Sequence, residues 1–153
     1  MMNAAPRPGG TLDELANLAA QVSVAPAAIV VLEERLSWIP AGQTGCSPEF
    51  IETVLPVISR VAVSIHDWIE LRDAQTQLPD GWRWLSCLPI RLPSGAVAGV
   101  IAVLDRSPRR LNSGQRAGLQ TVARQVMVHL ELRRQATDLA TTTEQHRQTE
   151  TRL

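Results

Sequence analysis

The stretch RWLSCLPIRLPSGAVAGVIAVLDRSPRRL, residues 83–111, decides how this chain is read. It is the most apolar segment, broken once by turn residues and closed by charge. At Pro93-Ser94-Gly95, proline presets φ and glycine tolerates the positive φ of a tight turn. The flanks are rich in Val, Ile and Leu, which predicts antiparallel strands over 85–92 and 96–104. The second of these, Ala96 to Leu104, has no polar residue on either alternating face. Such a run suits a central strand covered on both sides. On the first strand Trp84, Ser86, Leu88 and Ile90 point one way and Leu85, Cys87 and Pro89 the other. The sequence leaves open which set meets which covering layer. Gly99, inside the doubly covered strand, predicts close approach by a helix.

Working outward, Thr11 can cap a helix whose Leu12, Leu15, Leu18 and Ala19 recur at helical spacing. Pro26 ends it, and "AAIVVLEE" follows as a strand. "LSWIPAG" comes next, and its Pro40 argues against a long regular strand. Ser47 can cap a second helix with Pro48 at its first position. Phe50, Ile51, Val54, Leu55, Ile58 and Val61 supply its apolar face, and Pro56 is expected to kink or divide it. "WIELRD" alternates as a short strand. After the hairpin, Asn112 caps a long final helix, with Gln115 reaching back as in a capping box. The order is helix, two strands, helix, strand, hairpin, long helix. That is an α+β pattern, an antiparallel sheet with helices packed on it.

Composition excludes several function classes. The chain has 153 residues, enough for one domain with appendages. Its 15 basic and 15 acidic residues balance to zero, against a nucleic-acid binder that relies on a basic field. Every basic residue is Arg, so lysine-based mechanisms are absent. Cys46 and Cys87 form no metal-spacing motif and no disulfide scaffold. "MMNAAPRPGG" reads as a disordered leader over residues 1–10 and lacks the apolar run of a signal peptide, and no run reaches membrane-spanning length. A soluble, cytoplasmic protein without metal or cofactor is expected.

The residues now carry a resemblance. Arg83-Trp84-Leu85-Ser86-Cys87-Leu88-Pro89-Ile90, the turn glycine Gly95, the strand Gly99 to Asp105, and Pro108-Arg109-Arg110-Leu111 with Gln115 follow the order seen in bacterial GAF domains. "HDWIELRDA" and "ARQVMVHLELRRQ", residues 123–135, are similar to that family's preceding strand and final helix. The resemblance covers residues 11–135, with 136–153 as a helical extension. It implies an antiparallel sheet with the terminal helices on one face and a ligand pocket on the other. It also implies a pocket bordered by Trp68, Asp73, Arg83, Leu85 and Cys87. Only "AQTQLPDGW" separates Asp73 from Arg83, too little for a helical lid. Leu85 and Cys87 stand where the family has an aromatic and a small Gly, so the pocket is expected to be reduced.

Bilin attachment in the family uses a Cys usually followed by His; Cys46 precedes Ser47 and Cys87 precedes Leu88. The family's thiol-dependent reductases of free methionine sulfoxide supply the alternative, but neither thiol has a neighbouring His or Lys to lower its pKa. His66-Asp67 reads as a polar helix end. His129 lacks the Thr-Pro of a phosphoacceptor box, so phosphotransfer there is rejected. Trp38, Trp68, Trp82 and Trp84 read as core or rim packing.

The final helix is expected to run to the chain's end, about 50 Å at 1.5 Å per residue, farther than a compact domain extends. Leu132, Ala136, Leu139, Thr143, His146, Glu150 and Leu153 fall at alternating steps of four and three, a thin coiled-coil seam. Together with Leu12 and Leu15 of the first helix, the seam predicts a parallel homodimer. The function expected is a non-catalytic sensory or regulatory module. It would bind a small ligand or pass a signal to an output domain such as a histidine kinase or diguanylate cyclase.

Overall fold

The computed structural model describes residues 10–63, 67–74 and 78–151. Its elements are α1 (Gly10–Ser23), β1 (Ala27–Glu34), β2 (Ser37–Thr44), α2 (Pro48–Val63), β3 (Ile69–Leu71), β4 (Trp84–Arg91), β5 (Val97–Asp105) and α3 (Ser113–Thr151). The five strands form one antiparallel sheet in the order β2-β1-β5-β4-β3. This is the α+β architecture that the sequence predicts. β5 lies at its centre, between β1 and β4, as its two apolar faces require.

Each face carries its own core. Ala28, Val30, Leu32, Trp84, Leu88, Ile90, Ile101 and Val103 pack beneath α1 and α3. The alternate residues of the same strands, Ile29, Val31, Leu85, Cys87, Val100, Ala102 and Leu104, pack beneath α2 with Phe50, Val54 and Ile58. The question that the sequence leaves open is thereby answered: the Trp84 set meets the terminal helices and the Cys87 set meets α2. Burial of each large aliphatic side chain in these layers contributes roughly 1.5–3 kcal/mol.

Local signals explain most element ends. Ser47 Oγ accepts the Phe50 amide at 3.1 Å, capping α2 behind Pro48. Asn112 and Gln115 form the reciprocal capping box, with bonds of 3.0 and 2.8 Å. Gly95 closes the β4–β5 hairpin at φ 91°.

Three expectations are corrected. Pro40 does not prevent an eight-residue β2: the strand lies at the sheet edge and a bulge falls where Val31 meets Pro40, the positions at which a missing N–H costs least. Pro56 does not divide α2, which continues from Pro48 to Val63 with the proline on its exposed side. Gly99 is approached by a strand and not by a helix: a Cβ there would strike the Val31 carbonyl oxygen and the Leu32 side chain of β1.

Candidate functional site

The sheet face under α2 is the one on which the resemblance places a ligand. Leu85 and Cys87 are buried there at 1% and 0% exposure, roofed by α2. Among the described residues a cleft of about 260 Å³ opens beside them, lined by Gly45, Ser47, Phe50, Asp80, Trp82 and Arg106. Pockets that hold drug-sized ligands begin near 300 Å³. Its wall is rigid: Phe50 stacks on Trp82 with centroids 4.9 Å apart, and the Arg106 guanidinium lies 4.5 Å above the same indole. Arg106 also donates to the Asp80 carbonyl at 2.8 Å. Asp73 and Arg83 sit at the mouth of the short loop between β3 and β4. They pair through two bonds of 2.8 and 2.9 Å, and the Asp73 hydrogen bond holds the guanidinium above the ordinary arginine range.

Both cysteines belong to this layer. Burial pushes the Cys46 thiol up to about 11 and the Cys87 thiol up to about 12. Each is therefore a protonated thiol at neutral pH, a poor nucleophile. Among the described residues no cluster of His, Cys, Asp and Glu is arranged to hold a metal ion.

Trp68 is placed elsewhere. It packs with the core under the terminal helices, and its indole N–H donates to Ser86 Oγ. It belongs to a polar cluster that sequence reasoning missed, centred on Glu70 of β3. The Glu70 side chain is 6% exposed. Its Oε2 accepts the Leu111 amide at 2.9 Å and the Trp84 indole N–H at 3.1 Å, and its Oε1 accepts Arg116 at 3.0 Å. The Arg116 guanidinium lies 4.8 Å over the Trp68 ring, and that of Arg109 lies 4.8 Å over Trp84. Such stacking adds to the ion pairs without needing a second carboxylate.

The cluster extends to α1. Arg109 donates to Asp105 Oδ2 at 3.1 Å, to the Val24 carbonyl at 2.8 Å and to the Ser23 carbonyl. Gln115 donates to the same Ser23 carbonyl at 3.2 Å. These carbonyls form the negative end of the α1 dipole, where a cation is stabilising. The Pro108-Arg109-Arg110-Leu111 and Gln115 pattern therefore has a physical role: Arg109 and Gln115 grip the end of α1, and Leu111 is held by Glu70.

The proposed dimer residues separate in the same way. Leu12 is fully buried in the core beneath α1, so it is withdrawn from any exposed stripe, and Leu15 is partly buried against that core. Leu18, Val128, Leu132 and Leu139 are exposed at 42, 43, 60 and 69%, and Ala136 is exposed too. Residues 1–9, His66 and Leu153 lie outside the described residues, as do the side chains of Thr143, His146 and Glu150.

With this geometry in view, the comparisons are clear. The GAF-domain family model matches residues 8–130. The chain belongs to the GAF-domain family. A GAF domain from Pseudomonas syringae pv. tomato, from a protein described as a sensor histidine kinase, superposes with TM-score 0.68 at 14% identity, covering 87% of this chain and 82% of that one. A domain from Sinorhizobium meliloti, described as part of a two-component sensor histidine kinase, superposes with TM-score 0.65 at 16% identity, covering 87% and 94%. A type II free methionine-R-sulfoxide reductase from Thermoplasma acidophilum shares the fold with TM-score 0.57 at 11% identity, covering 76% and 86%. Comparison with curated proteins returns no match. Among the described residues no helix is long and apolar enough to cross a membrane.

Proposed function

We propose that this GAF domain is a non-catalytic regulatory module whose output is the arrangement of its terminal helices. One observation carries the reading. α3 has 39 residues, about 58 Å of helix, of which the first part is docked on the sheet and the residues from Leu132 to Leu139 are exposed. An apolar seam at Leu132, Ala136 and Leu139 continues where docking ends. With Leu18 of α1 it offers a surface for a second copy in parallel register, and the helix then leads to an output domain such as a histidine kinase or diguanylate cyclase. The seam alone is thin, because each buried leucine contributes roughly 1.5–3 kcal/mol against an association cost of several kcal/mol. A weak dimer, strengthened by a longer parent, follows.

Any ligand is small and enters at the Phe50, Trp82 and Arg106 cleft, with Asp73 and Arg83 at the loop beside it. The thiol reductase reading is disfavoured by the protonated thiols, and its structural likeness rests on the fold. Sedimentation analysis tests the proposal: wild type is expected to show concentration-dependent dimerisation that Leu132→Glu/Leu139→Glu abolishes. A monomer at high concentration, or a dimer indifferent to both substitutions, would contradict it.

A further inference from the structure

We infer that Glu70 and the arginines around it form the joint through which movement of the α2-side layer reaches both terminal helices. The inference rests on reading the chain as a signal-passing module, and it names the residues that carry the signal.

β3 is the shortest strand, three residues at the sheet edge, paired with β4 over Leu85 to Cys87 alone. In sequence it connects the α2 layer on one side with the loop closed by Asp73 and Arg83 on the other. Its middle residue reaches toward the terminal helices, where Glu70 holds the Leu111 amide and the Arg116 side chain at the start of α3. Next to it the Arg109 amide donates to the Arg72 carbonyl at 3.3 Å. Arg109 and Gln115 then hold the last carbonyls of α1. A shift of β3 must therefore either drag or release the first turn of α3 and the end of α1.

The two outcomes are distinct arrangements. A short edge strand opens locally at far lower cost than the central strands. A carboxylate at 6% exposure that loses Arg116 keeps only Arg72, at 4.0 Å, as an ion-pair partner, so partial release is disfavoured. A two-state element biased from both sides is what coupling physically requires.

Hydrogen exchange on the whole chain tests this without any output domain, so its result is separate from whether the chain signals at all. The perturbation is Asp73→Asn, which weakens the loop clasp. The readouts are amides 115–120 of α3. In wild type the substitution is expected to speed their exchange about two- to fivefold, the span of a partly exposed ion pair. In a Glu70→Gln background, where α3 already exchanges roughly tenfold faster, the same change is expected to add nothing at those amides. If Glu70→Gln does not fold, Arg116→Gln replaces it as the disconnecting variant with the same expectation. An equal effect of Asp73→Asn with and without the disconnection overturns the proposal. So does the absence of any effect in wild type.

Discussion

The two faces of the sheet are built from alternate residues of the same strands, yet they differ in chemistry. Beneath α2 the layer is apolar: Phe50, Val54 and Ile58 meet Leu85, Cys87, Val100, Ala102 and Leu104, and the polar contacts stay at its rim. Beneath α1 and α3 the apolar layer is edged by a nearly buried carboxylate, two arginines stacked on tryptophans, and helix-end carbonyls. Close apolar packing has low compressibility and passes a displacement on to its neighbours. A buried charge network has few acceptable geometries, so it either holds or releases. The α2 face is thus suited to pass on a perturbation, and the terminal-helix face to convert it into a discrete change.

The largest effect expected from this contrast is at Glu70. Glu70→Ala leaves the Leu111 amide and the buried Trp84 indole N–H without their acceptor, so it should destabilise by about 3 kcal/mol in denaturant melts. Its exchange signature should be concentrated at the start of α3. An apolar cut on the other face should behave differently. Ile58→Val removes one methylene from the α2 layer and should cost about 1 kcal/mol. In a Glu70→Gln background, where the joint is disconnected, it should leave the exchange pattern of α3 unchanged relative to the global loss. A strong α3 response to Ile58→Val that persists with the joint disconnected would erase the distinction between the faces.

The thiols give a smaller, pH-dependent effect confined to the α2 face. Burial raises both from an ordinary 9.0, so the native state keeps these protons to higher pH than the unfolded chain. Their contribution is intact below about pH 9 and is lost as pH rises toward 11 for Cys46 and 12 for Cys87. Melts across that alkaline range should show stability falling with pH, with a shallower slope in Cys87→Ala. At neutral pH, alkylation of Cys87 should require opening of the fold.

What the sequence reveals of this design follows the range of the interactions. The hairpin, the Ser47 cap and the Asn112–Gln115 capping box join residues a few positions apart, and residue type alone predicts them. The doubly apolar β5 likewise announces its two covering layers. Glu70 does not announce itself: a glutamate in a short alternating strand reads as a solvated edge residue. Its partners lie 14, 41 and 46 positions away, so only the folded chain brings them together. The face that Trp68 takes is hidden for the same reason, since it is fixed by Ser86 across the β3–β4 ladder. Leu12 and Leu18 share one helical pattern, and only packing on the sheet decides that the first is covered and the second exposed.

The central claim is that the arrangement of the terminal helices is the output, so that α3 transmits and is not merely a tether. The most direct measurement fuses the chain after Leu153 to the catalytic part of a histidine kinase or diguanylate cyclase. One to seven helix-forming residues are then inserted in α3 after Leu139, and output activity is recorded for each length. A transmitting helix pair predicts activity that alternates along the series and returns at about seven residues, two turns of a coiled coil. Activity that is flat across all insertions would contradict the account.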